Sequence, residues 1–280
     1  TVTGGLSNAF FAGTAATTCQ LEVARQESLG GNLNIDNTSY LRINTGINNF
    51  NLGTNTLTFN TTSFITMISG GIKAGTNSTV DLKNSITSIP GTMFIDEECY
   101  NLTIGAATNL EGSLKINGTL TGVYNITTND NILTFGPAAT LPAFTSAAHV
   151  IGNVRRTVTS TATSFPIGNG APTSYVPLTL QFATAGSSQM VTVSRNFTDP
   201  TYNKGGNPTN SVDVLWTITP EGSSPNDRVK ATFQWPAAID GGTGALANAS
   251  FPAKWNGSYW QDYRNNMSAF VVADPRVLAM

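Results

Sequence analysis

A beat of about 22 residues runs through the first half of the chain and limits what it can fold into. Leu57-Thr58-Phe59, Val80-Asp81-Leu82, Leu102-Thr103-Ile104 and Tyr124-Asn125-Ile126 begin 23, 22 and 22 residues apart, and Leu33-Asn34-Ile35 lies 24 residues before the first of them. A second series falls between these copies as Leu41-Arg42-Ile43, Phe64-Ile65-Thr66, Ile86-Thr87-Ser88, Asn109-Leu110-Glu111 and Asn131-Ile132-Leu133. A third follows as Phe50-Asn51-Leu52, Gly71-Ile72-Lys73, Met93-Phe94-Ile95 and Leu114-Lys115-Ile116. Alternate residues of a strand face opposite ways, so the outer two of each triplet point inward and the middle one outward. One such coil cannot bury its apolar side, whereas stacked coils share a continuous core. The spacing therefore predicts an all-β chain whose residues 31–136 form a three-faced parallel β-helix of about five coils, right-handed as nearly all parallel crossovers are. An antiparallel domain of evenly spaced short strands is the competing reading.

Composition narrows the setting. Only 11% of the residues are charged and the net charge is -2, so no basic field exists to hold nucleic acid. No run of about 18 apolar residues appears to span a bilayer. The chain starts at Thr1 without a charged and apolar leader, which predicts a processed, secreted, extracellular protein, with a cloned fragment as the alternative. The composition shift "GPAATLPAFTSAA" places a linker at 137–149.

Residues 1–30 differ from the coils. Val2, Leu6, Phe10 and Phe11 are the apolar anchors of a nearly uncharged stretch that cannot make a core alone. From Cys19 to Leu29 the pattern fits a short helix capped by Thr18 and stopped at Gly30, or equally a strand over Leu21, Val23 and Arg25. Either form predicts a segment that caps the first coil and covers its exposed backbone edge. Cys19 and Cys99 are a possible disulfide, with two buried free thiols as the equal alternative.

Residues 150–280 have another rhythm. Alternating segments at Val150–Val158, Tyr175–Phe182, Met190–Arg195, Val212–Thr219, Arg228–Trp235, Trp255–Tyr263 and Phe270–Ala273, separated by Pro and Gly, predict an antiparallel β-sandwich. Trp216, Phe233, Trp235, Trp255 and Trp260 supply its core volume. The pieces "HVIGNVRRTV", "SFPIGNGAPTSYVPLTLQF", "VLWTITP", "ATFQWP" and "AKWNGSYW" resemble a module of secreted, adhesin-like surface proteins of Bacteroidetes and related bacteria, in which it follows an Asn/Gly/Thr-rich solenoid. The resemblance spans roughly residues 31–265 and implies a structural module at the cell surface, often exported with a C-terminal sorting domain. No such sorting domain is recognisable before Met280.

Chemical constellations are scarce in the sequence. His149 has no Ser or Cys nucleophile that spacing pairs with it and reads as a polar linker residue. Asp96-Glu97-Glu98 lacks the spaced pattern of a calcium loop and reads as a solvated corner. The carboxylates Asp81, Glu111 and Asp130 and the cations Arg42, Lys83 and Lys115 are scattered, with no pair that spacing places at catalytic separation. No cofactor or metal is called for, and the chain reads as a non-enzyme. The leading expectation is a structural subunit that polymerises with copies of itself into a surface filament, sheath or layer. Its assembly contacts are Val2, Leu6, Phe10 and Phe11 at one end and Phe270, Val271 and Val272 at the other. An adhesin that stacks surface glycans on Trp255, Tyr259, Trp260 and Tyr263 is the alternative, and a polysaccharide-active β-helix enzyme the third reading.

Overall fold

The computed structural model describes residues 9–12, 20–23, 26–36, 40–60, 64–83, 86–170, 174–196, 214–222, 225, 227–237, 253–255, 260–262, 269–271 and 276–279. The expectations placed on Val2, Leu6, Cys19, Tyr259, Tyr263 and Val272 lie outside these residues. The chain is all-β, 3% helical, and divides into two compact units between Phe144 and Thr145, inside the stretch where composition shifts.

The first unit is a parallel β-solenoid of about six turns. Its first face stacks Ala9–Ala12, Leu33–Asp36, Thr56–Phe59, Thr79–Leu82, Asn101–Ile104 and Leu120–Thr121, each parallel to the next. The second face comprises Gln20–Val23, the first parts of Tyr40–Asn51 and Phe64–Lys73, then Ser88–Ile89, Thr108–Leu110 and the start of Ile126–Phe135. The third comprises Glu27–Ser28, the last parts of the same two long strands, Glu98–Cys99, Leu114–Ile116 and the end of Ile126–Phe135.

Register explains the triplets. Leu33, Leu57, Val80, Leu102 and Leu120 form one column, with Ile35, Phe59, Leu82 and Ile104 beside it, and all are buried. Each such side chain contributes about 1.5–3 kcal/mol on leaving water. The residue between the two columns is Asn34, Thr58, Asp81, Thr103 or Thr121, on the outer side as alternation requires.

The beat misleads at several places; Leu110 and Phe94, each the middle residue of its triplet, are buried. Leu102 pairs with Leu120, so this coil has 18 residues and Leu120 rather than Tyr124 continues the first face. The coil before it carries an extra corner turn, Ile95–Glu97, that this one lacks. Ile126 consequently pairs with Thr108 on the second face, and Tyr124 stands exposed at the corner. Ile89, not Ile86, takes the buried position beside Leu110. Ile72, the middle residue of its triplet, sits in the inward column opposite Phe50.

The N-terminal stretch is also more than a cap. Ala9–Ala12 pairs with Leu33–Asp36 and Gln20–Val23 with Tyr40–Ile43, both in parallel, so these segments are a rung of the solenoid itself. Between the helix and strand readings of 19–29, the described residues take the strand. The strong register demand of Leu41 and Ile43, both fully buried, overrides a helix cap whose worth is about 1 kcal/mol.

The second unit contains two antiparallel sheets. One runs Val150–Val158, Gln189–Asn196, Leu215–Pro220, with the short Ile167–Gly168 lying parallel on Val150 and Ile151. The other runs Thr163–Phe165, Leu178–Phe182, Val229–Trp235, Arg276–Ala279, Ala269–Val271. Trp216 of the first sheet meets Phe233 and Trp235 of the second edge-on, at centroid distances of 5.0 and 6.5 Å. Its Nε1–H donates to the Val176 carbonyl at 3.0 Å, which satisfies the indole's one donor inside the core. Of the five aromatics expected to fill the sandwich core, these three meet, Trp235 buried and Trp216 and Phe233 half-buried, beside the fully buried Val154, Leu178 and Val193. Ala253–Trp255 and Trp260–Asp262 form a separate hairpin in which Trp255 and Trp260 are direct register partners.

Candidate functional site

The solenoid's stacks begin at its first rung. Among the described residues, Ala9–Ala12 is the outermost strand of the first face, paired with Leu33–Asp36, and Gln20–Val23 and Glu27–Ser28 are the outermost strands beside Tyr40–Asn51. A strand edge of this kind offers a row of N–H and C=O groups to a further strand. Register separates the two phenylalanines expected to act together here. Phe11 is the register partner of Ile35, and Phe10 that of Asn34. At the other end of the chain, Phe270 and Val271 lie in the terminal strand Ala269–Val271 of the second sheet, paired with Leu278 and Val277.

Along the rungs the Asn side chains are spent on backbone groups. Asn55 Nδ2–H donates to the carbonyls of Leu29 at 2.8 Å and Leu52 at 3.1 Å, tying one rung to its predecessor. The Asn101 Oδ1 accepts from the Thr119 N–H at 2.8 Å, and Asn32 Oδ1 likewise from Thr56 N–H at 2.9 Å. Asn129 and Asn131 both donate to the Leu110 carbonyl, at 3.2 and 3.0 Å. The Asn-rich composition that the sequence shows is therefore largely structural wiring of corners, where backbone carbonyls leave the ladders.

Charged groups pair locally. Lys83 Nζ lies 2.6 Å from Asp81 on the first face. Lys115 Nζ lies 2.5 Å from Glu98 Oε1, while Asn117 Nδ2–H donates to Glu98 Oε2 at 3.2 Å. A carboxylate bridging an amine and a carboxamide is an arrangement that can form an amide cross-link when buried. Here the Lys115 and Glu98 side chains are 39% and 41% exposed, so water holds the pair as an ordinary ion pair. Asp96 and Glu97 both take left-handed backbone, φ 59° and 57°, at an exposed corner, which agrees with the solvated reading. Among the described residues no three His, Cys, Asp or Glu side chains gather as a metal site.

One small cleft of about 200 Å³ opens beside the corner after Leu82, lined by Phe59, Leu82, Ile86, Pro90 and Met93 with Ser88 and Glu111 also in its wall. Ser88 Oγ–H donates to Glu111 there. A cleft this size is below the usual range for ligand pockets. Cys99 sits fully inside the third face, opposite Ile116, as a free thiol that burial and the neighbouring Glu98 push well above its ordinary value. Its expected partner Cys19 is outside the described residues.

His149 is where sequence reasoning missed most. It is not a linker side chain in solvent but completely buried in the second unit. The Gly170 N–H donates to its Nε2 at 3.1 Å, and its Nδ1 lies 3.2 Å from the Thr145 carbonyl. Tyr175 stacks on the ring at 5.4 Å. Burial lowers its pKa from the ordinary value, and the Arg195 charge adds to this against the opposing Thr145 bond. The sequence signal was present in the "FPIGNG" segment, since Gly168 leaves no room for a side chain against the ring: a Cβ there would stand 2.4 Å from Cδ2 and Nε2.

A scan against protein-family models finds no match, and neither the curated proteins nor the solved structures searched contain a significant match to this chain.

Proposed function

We propose that this protein is an extracellular structural subunit that polymerises by strand addition at the first rung of its solenoid. The observation that carries the reading is that, among the described residues, Ala9–Ala12 is the outermost strand of the first face, with Leu33–Asp36 as its neighbour. Parallel strands in register can recruit a matching edge, main-chain hydrogen bonds giving affinity and alternate side chains specificity. An isologous contact of two such edges closes as a dimer, while a heterologous one propagates as an open filament. The rung-to-rung use of Asn55, Asn101, Asn129 and Asn131 fits a molecule built for rigidity. The surface location rests on the resemblance of the "FPIGNG" and "YVPLTL" segments to secreted bacterial surface modules.

Deleting residues 1–16, or making Phe10→Lys, tests this by negative-stain imaging. Phe10 lies in the outermost described strand of the first face, in register with Asn34, and a lysine in such a strand opposes strand addition. Loss of polymers with unchanged β circular dichroism supports the proposal; polymers that persist in both variants contradict strand addition.

A second reading has its own observation. Trp255 and Trp260 face each other in register across a two-stranded hairpin, so the chain brings together two of the four aromatics expected to stack sugars. Glycan-array binding abolished by Trp260→Ala would favour an adhesin; a blank array with the intact chain would remove that reading.

A further inference from the structure

We propose that His149 is an acid-released latch that fastens the Thr145–Ala148 turn to the Ile167–Gly170 segment. The turn is itself tight: the Thr145 and Ala148 N–H groups each donate to the other's carbonyl, at 2.9 and 3.1 Å. His149 follows it directly and reaches across to the second segment.

The tautomer follows from the partners. A backbone amide only donates, so Nε2, 3.1 Å from the Gly170 nitrogen, is the bare acceptor. Nδ1 then carries the proton and donates to the Thr145 carbonyl at 3.2 Å. The neutral ring thus joins two segments through one donor and one acceptor. The protonated ring has two donors, and its new Nε2–H would point at the Gly170 N–H. That bond cannot survive protonation.

Nor can the ring turn aside in place. Gly168 abuts its Cδ2–Nε2 edge, Tyr175 lies over its face with planes 28° apart, and the ring is completely buried. The charged and titratable groups set against it are Arg195, from the strand Gln189–Asn196, and Tyr175, from the segment before Leu178–Phe182. Arg195 is itself held by donating to the Ser174 carbonyl, so a cation already stands near the place where a second would form. Taking up a proton therefore requires Gly170 to leave the ring. Burial and Arg195 lower the ring's pKa, with the Thr145 bond opposing. The folded chain accordingly binds this proton less readily than the unfolded one. The latch is intact above the ordinary histidine value of 6.5 and its stabilisation declines as pH falls below it.

The chain has one histidine, which makes the latch directly observable in the full-length protein. In ring-nitrogen NMR at neutral pH the proton is expected on Nδ1, with a titration midpoint below 6.5. The Gly170 amide should shift with the same midpoint and, as pH falls from 6.5 towards it, lose protection relative to the Leu180 amide by roughly tenfold per pH unit. A proton on Nε2, a midpoint at or above 6.5, or a Gly170 amide unmoved through the ring's titration would overturn the proposal. In parallel, the acid-induced drop in urea midpoint should shrink in His149→Gln. An equal drop in that variant also overturns it, and if the variant fails to fold the ring titration of the natural chain decides alone.

Discussion

Gly75 shows how little tolerance the solenoid has at single positions. A Cβ there would meet the Gly53 carbonyl oxygen of the rung before it at 2.0 Å, and Gly112 stands equally tight on Gly91 at 2.4 Å. These glycines are stacked corner pairs that let consecutive coils reach their spacing. Gly75→Ala is expected to destabilise by about 1–3 kcal/mol, because backbone rather than a flexible side-chain end must give way. Gly186→Ala, whose site is open but has φ +90°, tests strain without collision, and urea denaturation compares the two. Cys99 supplies a pH-dependent counterpart. Its folded pKa is raised by burial, so above the ordinary value of 9.0 the unfolded chain loses a proton that the folded chain keeps. The unfolded state then binds fewer protons, and stability, full below pH 9, falls as pH rises, by at most about 1.4 kcal/mol per pH unit. Tyr175, also raised by burial, adds a similar loss from its higher starting value. Cys99→Ala should remove the earlier part of this decline in urea midpoints measured from pH 8 to 10.5. An unchanged slope would contradict the buried-thiol account.

At the scale of elements, strand existence was far more legible in the sequence than strand partnership. The triplets at 33–35, 57–59, 80–82 and 102–104 were readable because alternation and burial coincide in them. Tyr124-Asn125-Ile126 was misread because a coil that loses a corner turn still has an apolar-x-apolar segment at the old spacing, on another face. Periodicity measures where apolar residues fall, and pairing depends in addition on how many residues each corner uses. The N-terminal rung was missed for a related reason: Ala9-Phe10-Phe11-Ala12 reads as a generic apolar patch until Leu33–Asp36 is laid beside it. His149 left only a faint trace in the sequence, the glycine at 168 beside its ring, because its partners are backbone groups, Thr145 carbonyl and Gly170 amide, that no residue type announces. Corner wiring makes its own prediction. Asn55→Ala strips one bond to the rung before and one within its own corner and should cost about 1–3 kcal/mol, whereas exposed Asn109→Ala should fall within about 0.5 kcal/mol of neutral. Equal effects of the two substitutions in urea denaturation would count against the wiring.

For the molecule as a whole, the account takes the outermost described strand of the solenoid, Ala9–Ala12, as the edge that another copy of the chain would extend. No helix among the described residues is long and apolar enough to cross a membrane, so the assembly reading calls on strand edges alone. Glycan binding through the Trp255–Trp260 hairpin and self-association through Ala9–Ala12 use different units, so disabling one should leave the other intact. The most direct measurement is sedimentation velocity of the full chain over a wide concentration series, run beside Phe10→Lys. The account predicts species that grow with concentration for the natural chain and a shift toward monomer for the variant. A natural chain that stays monomeric across the series would contradict it.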